Sequence, residues 1–208
     1  MFALRIRCGY NIISPKQEAG SAPKLSGWHQ LMAHPNKLKP AALDLIPNLA
    51  TSDELKAAMR QLAAGISVVT TGKGDAKTGA TVTSATVLSI EPPTILVNIN
   101  LTASVWPKIN AERNFCLNIL SSDQQAVADR FAGRHGEKGA ARYQGADWFA
   151  LESGALALKG ALASIDCEVE EIIERHTHAI VIGRALKIVS GEGEPLVYHH
   201  GHYHTLKR

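Results

Sequence analysis

Gly79-Ala-Thr-Val-Thr-Ser-Ala-Thr-Val-Leu-Ser-Ile-Glu-Pro-Pro93 is the stretch on which the fold turns. Residues 80–90 read as one strand, in which hydroxyls at Thr81, Thr83, Ser84, Thr86 and Ser89 alternate with small or apolar side chains. Pro92 and Pro93 stop it, because proline cannot donate to a sheet ladder. Small side chains let a planar ring lie close to a strand, and hydroxyls with backbone amides can satisfy its carbonyls or a phosphate. An ordinary threonine-rich strand, in which β-propensity alone accounts for the composition, is the competing reading.

Outward from this run the pattern stays rich in strands. On the N-terminal side, Thr51-Ser52-Asp53-Glu54 is a capping box. It opens a helix whose face carries Leu55, Ala58, Met59, Leu62 and Ala63 and which Gly65 ends. A strand over 66–71 and a polar turn over 72–79 lead into the quoted run. Beyond it lie a strand over 94–101, a short helix over 104–111 capped by Ser104, and a buried strand over 115–120. Ser122-x-x-Gln125 opens a helix carrying Val127, Ala128 and Phe131, and 134–147 reads as an exposed Gly-rich excursion. Three long strands follow, over 161–171, 179–189 and 196–206. Many strands with few helices point to a mainly β fold, a closed barrel with peripheral helices.

Of the 208 residues, 45% are hydrophobic and 20% charged, which excludes wholesale disorder. No run reaches the roughly 18 apolar residues of a membrane-spanning helix. The net charge of +3 is uneven. Residues 1–50 carry six basic and two acidic groups, and residues 51–208 carry sixteen and seventeen. No clustered basic face for nucleic acid is visible in the body. Five of nine prolines lie before residue 50, so a poorly ordered N-terminal extension over 1–50 is expected, with the domain over 51–208. Cys8, Cys116 and Cys167 form no pair or C-x-x-C motif, which suggests a reducing, cytoplasmic setting and no cysteine metal site.

Other candidate motifs are weaker. Gly74-x-x-x-x-Gly79 has phosphate-loop spacing, but Ala80-Thr81 replaces the Lys-Ser/Thr pair and a strand follows, so a hairpin turn is expected. His200, His202 and His204 would share one face of a continuous strand, without a carboxylate or cysteine to complete a metal site. No nucleophile–base pair or paired-carboxylate motif appears, so no catalytic residue and no metal ligand is assigned.

Taken in order, several segments resemble the flavin reductases of two-component monooxygenases, such as the reductase component of 4-hydroxyphenylacetate 3-monooxygenase. They begin with Gly79-x-Thr81-x-Thr83-Ser84 through Ser89, Pro92-Pro93 and the run to Asn100. Ala103-Ser104-Val105-Trp106-Pro107, Phe115-Cys116-Leu117-Asn118-Ile119-Leu120 and Phe131 come next. Gly160-Ala161-Leu162-Ala163-Ser164, Asp166-Cys167, Thr177-His178, Leu196-Val197-Tyr198 and Tyr203-His204 complete the set.

The resemblance implies an FMN-binding split barrel, a six-stranded Greek key, paired as a homodimer with flavin near the subunit interface. It implies FMN or FAD as cofactor, and NADH or NADPH as the donor of hydride to the flavin N5, with the protein supplying orientation. By this likeness Thr81, Thr83, Ser84, Ser89 and Phe131 hold the flavin, and Asn100 and Ser104 approach its phosphate. His178 and Tyr203 lie on the nicotinamide side. The family's Gly-Asp-His motif reads His176-Thr177-His178 here. The implied acceptor is an oxygenase component, with neither nucleic acid nor membrane as partner. A corrin reductase acting on cob(II)yrinic acid a,c-diamide shares the Thr-His pair, and a non-catalytic flavin-binding module is the third reading.

Overall fold

The computed structural model describes residues 49–206, so the expectation for the N-terminal extension lies outside the described residues, Leu49 and Ala50 apart. Helix α1 (Ser52–Met59) starts at the expected capping box: Glu54 N–H donates to Thr51 Oγ1 at 3.2 Å, and Thr51 N–H to Glu54 Oε2 at 2.7 Å. It stops at Arg60, earlier than its apolar pattern suggested, and buries no residue. The reason is β1 (Ala64–Gly65), which leaves the helical path to pair with a strand near the C-terminus. Leu55, Met59 and Leu62 are left in solvent.

Strand β2 (Ser67–Thr71) follows and is buried along its whole length. Next come β3 (Thr78–Val82) and β4 (Ala85–Ser89), so the single strand expected over 80–90 is broken at Thr83-Ser84. β5 (Thr94–Asn100) leads to α2 (Trp106–Glu112), which is capped at Val105 without a side-chain bond. Ser104 is therefore not the N-cap. β6 (Asn114–Ile119) precedes α3 (Gln125–Phe131), and the reciprocal cap falls one residue early, with Ser121 N–H donating to Gln124 Oε1 at 3.1 Å.

The excursion over 134–147 is anchored, not free. Tyr143 is buried and its hydroxyl donates to Thr78 O at 2.6 Å, while Arg142 donates to Gly79 O at 2.6 Å. A short hairpin of β7 (Trp148–Ala150) and β8 (Leu156–Leu158) was not foreseen. Long strands β9 (Ala163–Arg175) and β10 (His178–Ser190) follow. The last expected strand is a tight hairpin, β11 (Leu196–His199) and β12 (His202–Thr205), with His200 at φ +53° and Gly201 turning the chain. That turn removes His200 from the face proposed for three histidines. His199 pairs with His202, and among the described residues no cluster of His, Cys, Asp or Glu is set to hold a metal.

The main sheet runs β3-β2-β6-β9-β10-β5-β4, antiparallel at every pairing, with a smaller sheet β1-β11-β12 beside it. Consecutive strands β3 and β4 thus lie at opposite edges. A flat seven-stranded sheet would hold its edges about 29 Å apart at the usual strand spacing. The three Cα steps from Val82 to Ala85 reach at most about 11 Å. The sheet must therefore curl until its edges meet at Thr83-Ser84. Counted as one bent strand, β3 and β4 restore the expected six-stranded barrel.

Two cores lie on the two faces of β2, which explains why every residue in it is buried. Val69 joins the barrel interior with Val97, Ile99, Phe115, Val169 and Val181. Val68 joins the outer core with Leu120, Phe131, Tyr143, Leu158 and Leu196. A side chain at Gly183 would place its Cβ 2.6 Å from the Phe115 ring, and the register shifts there, bending β10 around the barrel.

Asn118 links four of these strands. Its amide donates to Val68 O at 3.2 Å and Leu156 O at 3.3 Å, and its Oδ1 accepts from Leu158 N–H and Ser164 Oγ, each at 2.8 Å. Asn118→Ala orphans several fully buried groups. Urea denaturation should show a loss of about 3 kcal/mol. Lys159→Ala, which removes an exposed 3.6 Å pair with Asp147, should cost at most about 0.5 kcal/mol in the same assay.

Candidate functional site

Where the barrel edges meet, a cavity of about 320 Å³ opens between residues 80–84 and the end of β5. Ala80, Thr81, Val82, Thr83, Ser84, Asn98, Ile99, Asn100, Ala103 and His178 line it. Its lining contains no lysine, arginine or carboxylate, and its walls include the small side chains of Ala80 and Ala103.

The hydroxyls around this cavity have different duties. Thr81 Oγ1 donates to Ala128 O of α3 at 2.6 Å, and Ser84 Oγ donates to Asn98 O at 2.9 Å, so both hold the barrel edge in place. Thr83 is exposed and its hydroxyl makes no hydrogen bond among the described residues. Asn100 Oδ1 accepts from Thr102 N–H at 2.9 Å and Thr102 Oγ1 at 2.8 Å, and its NH₂ group has no hydrogen-bond partner among the described residues. The turn so built carries the chain into α2.

His178 opens β10 opposite Asn100, and its Nδ1 lies 2.9 Å from Thr177 Oγ1. His176, which stands where the resembling motif has glycine, adopts φ +52°. This is the left-handed region that glycine enters most easily. The β9–β10 hairpin thus reaches the glycine-like conformation with a histidine.

Five of the expected site residues, Thr81, Thr83, Ser84, Asn100 and His178, share this cavity. Ser104 does not line it; it is exposed one residue beyond Ala103. Ser89 lies at the far end of β4, where its Oγ accepts from Glu91 N–H at 3.1 Å. Phe131 sits behind β3, where the Cβ of any side chain at Gly79 would meet its ring at 2.6 Å, and it packs edge-on against Tyr143. Tyr203 lines a separate cavity of about 160 Å³ with Tyr198, Arg134 and Thr81–Thr83, so it and His178 do not meet in one cavity. Its hydroxyl donates to Asp129 at 2.7 Å, and Asp129 also pairs with Arg134 at 3.0 Å. Asn98 was missed, although two asparagines in alternation with apolar residues on β5 were a readable sign of a polar face.

The family model for the flavin reductase like domain matches residues 59–207. The chain belongs to this family. An FMN reductase (NADH), RutF 2, of Methylorubrum extorquens is 36% identical over 164 residues, covering 78% of this chain and 94% of that protein. The FMN reductase (NADH) RutF of Cronobacter turicensis is 34% identical over 152 residues, 73% of this chain and 90% of that one. Among solved structures, BorF, the flavin reductase component of a bacterial two-component tryptophan halogenase, aligns with a TM-score of 0.70 at 30% identity. That alignment covers 76% of this chain and 99% of BorF. The barrel of this flavin reductase-like protein is therefore the split barrel of its relatives.

The division of labour among hydroxyls is open to a stability test. Thr81→Val removes a bond that fastens β3 to α3 and should cost about 1 kcal/mol in urea denaturation. Thr83→Val breaks no bond among the described residues and should change stability by less than about 0.5 kcal/mol.

Proposed function

We propose that this protein is an NAD(P)H-dependent flavin reductase that passes reduced flavin to a partner oxygenase. One observation carries the reading: at the closure of a reductase barrel lies a small-walled neutral cavity with unengaged groups at Thr83 and Asn100. Its residues fit a flavin. Ala80 and Ala103 leave room for a flat ring, and hydroxyl and amide groups can meet its carbonyls and ribityl chain. FMN or FAD, when bound, supplies the redox chemistry, accepting hydride from the reduced nicotinamide.

The chain's own residues then orient and shield. Thr83 would donate to the ring system, and Ser84, held by Asn98 O, would keep the strand break in the shape that admits it. Asn100 and Ser104 would approach the phosphate. Phe131 and Ser89 would act at a distance, the first packing behind Gly79 and the second shaping the turn after β4. His178 would face the donor. No general acid or base is required, since hydride transfer needs alignment above all.

A homodimer belongs to the same proposal. Edge strand β4 exposes Val87 and Leu88, and Ile90 just beyond it is 81% exposed. Of these, Val87 lines a groove of about 460 Å³ that also includes Ala85, Ile95, Leu117, Ile119 and Ile165. An exposed apolar edge of this kind invites association, and a second copy covering it would bring a partner surface beside Thr83. Sedimentation of Val87→Asp should show a monomer where the parent chain sediments as a dimer.

Purified protein with NADH and FMN should consume NADH at a rate that rises with flavin. No consumption above the protein-free control would overturn the reductase reading. His178→Ala should raise KM for NADH about fivefold, while the FMN dissociation constant stays within about twofold. Equal NADH kinetics in the two proteins would remove His178 from the donor side.

A further inference from the structure

Thr81, Val82 and Thr83 at the end of β3 line two cavities, the one at the barrel closure and the cavity of about 160 Å³ behind it. They form a partition. One side borders the space that fits a flavin ring, and the other faces Tyr198, Tyr203 and Arg134 across the smaller cavity. With a cavity on each side, the partition has fewer packing contacts than a strand in a filled core and depends more on its hydrogen bonds.

Those bonds converge on two adjacent residues of α3. Thr81 Oγ1 donates to Ala128 O at 2.6 Å, and the Tyr203 hydroxyl donates to Asp129 Oδ1 at 2.7 Å. Strands β3 and β12 are thus stapled to neighbouring points on one helix. The Asp129 side chain is only 16% exposed, and the same Oδ1 also pairs with the Arg134 guanidinium at 3.0 Å. That guanidinium lies 5.0 Å from the centroid of the Tyr203 ring, which Tyr198 meets edge-on at 5.5 Å. The phenol is therefore fixed both at its hydroxyl and at its ring. Its single O–H proton is committed to Asp129, so Tyr203 has none to give a ligand. Hydride transfer needs no acid or base, which leaves a mostly buried carboxylate beside the site with no part in the chemistry.

We propose that Asp129 is a positioning residue: acting through Tyr203 and α3, it holds the Thr81–Thr83 partition in the shape that accepts the flavin ring. The proposal rests on the reductase reading for the identity of that ligand.

Quenching of flavin fluorescence by the full chain measures FMN affinity, and NADH oxidation over a range of FMN separates KM from kcat. Asp129→Ala should raise both the FMN dissociation constant and the KM for FMN about fivefold, with kcat at saturating FMN within about twofold. Tyr203→Phe should do the same. The double variant should be at most about twofold worse than either single one, because each removes the same connection. Asp129→Asn keeps an oxygen for the phenol and should stay within about twofold of the parent chain. The proposal is overturned by parent-like FMN affinity in Asp129→Ala, or by losses that multiply to about twenty-five-fold in the double variant. A loss in Asp129→Asn as large as in Asp129→Ala overturns it too. Parent-like affinity in Tyr203→Phe does so even where Asp129→Ala fails to fold. If the parent chain itself binds no FMN, the reductase reading falls, and the proposal with it.

Discussion

Two residues, Thr83 and Ser84, join strands at opposite edges of a seven-stranded sheet, and the rest of the molecule is arranged around that short link. A chain this short cannot cross an open sheet, so the barrel must close where the link stands. Closure leaves the polypeptide there without a regular ladder partner, since the strands resume on either side with different neighbours. Ser84 replaces the missing ladder bond by donating to Asn98 O. Thr83 has no such duty and borders the cavity at the barrel closure, the slot beside the end of α1 and the Tyr203 cavity together. The constraint that closes the fold also opens the site.

Neutrality of the main cavity suits a cofactor that brings its own electron chemistry, for which the protein need only hold the reacting groups in line. The titratable groups elsewhere are kept from competing chemistry. Burial pushes the Cys167 thiol up to about 12 and the Cys116 thiol higher still, helped in both by the nearby Asp166 carboxylate, so neither is a thiolate nucleophile at neutral pH. Asp166 itself is held by Ser153, whose N–H donates to it at 2.8 Å. Burial, then the hydrogen bond to Asp129, pushes Tyr203 up to about 12. A raised phenol pKa keeps the hydroxyl protonated below that value, so its bond to Asp129 persists across the physiological range.

What could be read from the sequence follows from how local each signal is. The capping box at Thr51 and the apolar runs of β2 and β6 are local signals, and each element formed where its residues indicated. The break at Thr83-Ser84 shows in the sequence only as two adjacent hydroxyl residues, which shift the phase of the alternation without a proline or glycine to mark a turn; the pairing of β3 with β2 and of β4 with β5 is what separates the two strands. Tyr143 looked like part of an exposed excursion because its partner, Thr78 O, lies 65 residues away in the chain. The β11–β12 hairpin concealed itself in a run of histidines and tyrosines with no proline, and its turn depends on left-handed His200. The candidate site was legible in Thr81, Thr83, Ser84, Asn100 and His178, since they lie on or beside strands with clear periodicity. The contact of Arg60 with His200 was not legible, because they are 140 positions apart and meet only through tertiary pairing.

Helix α1 is held by its end and not by a buried face. It buries no side chain, so its contribution to the core is small, and its capping box stabilises it only locally, by about 1 kcal/mol. Its end is set against the barrel through the His200 bond to Arg60 O and the contact of Gln61 with the same histidine ring. The β11–β12 turn and the end of α1 are thus fastened to each other by backbone and side chain alike. Residues 51–208 carry one more acidic than basic group, a balance that by itself indicates no anionic ligand.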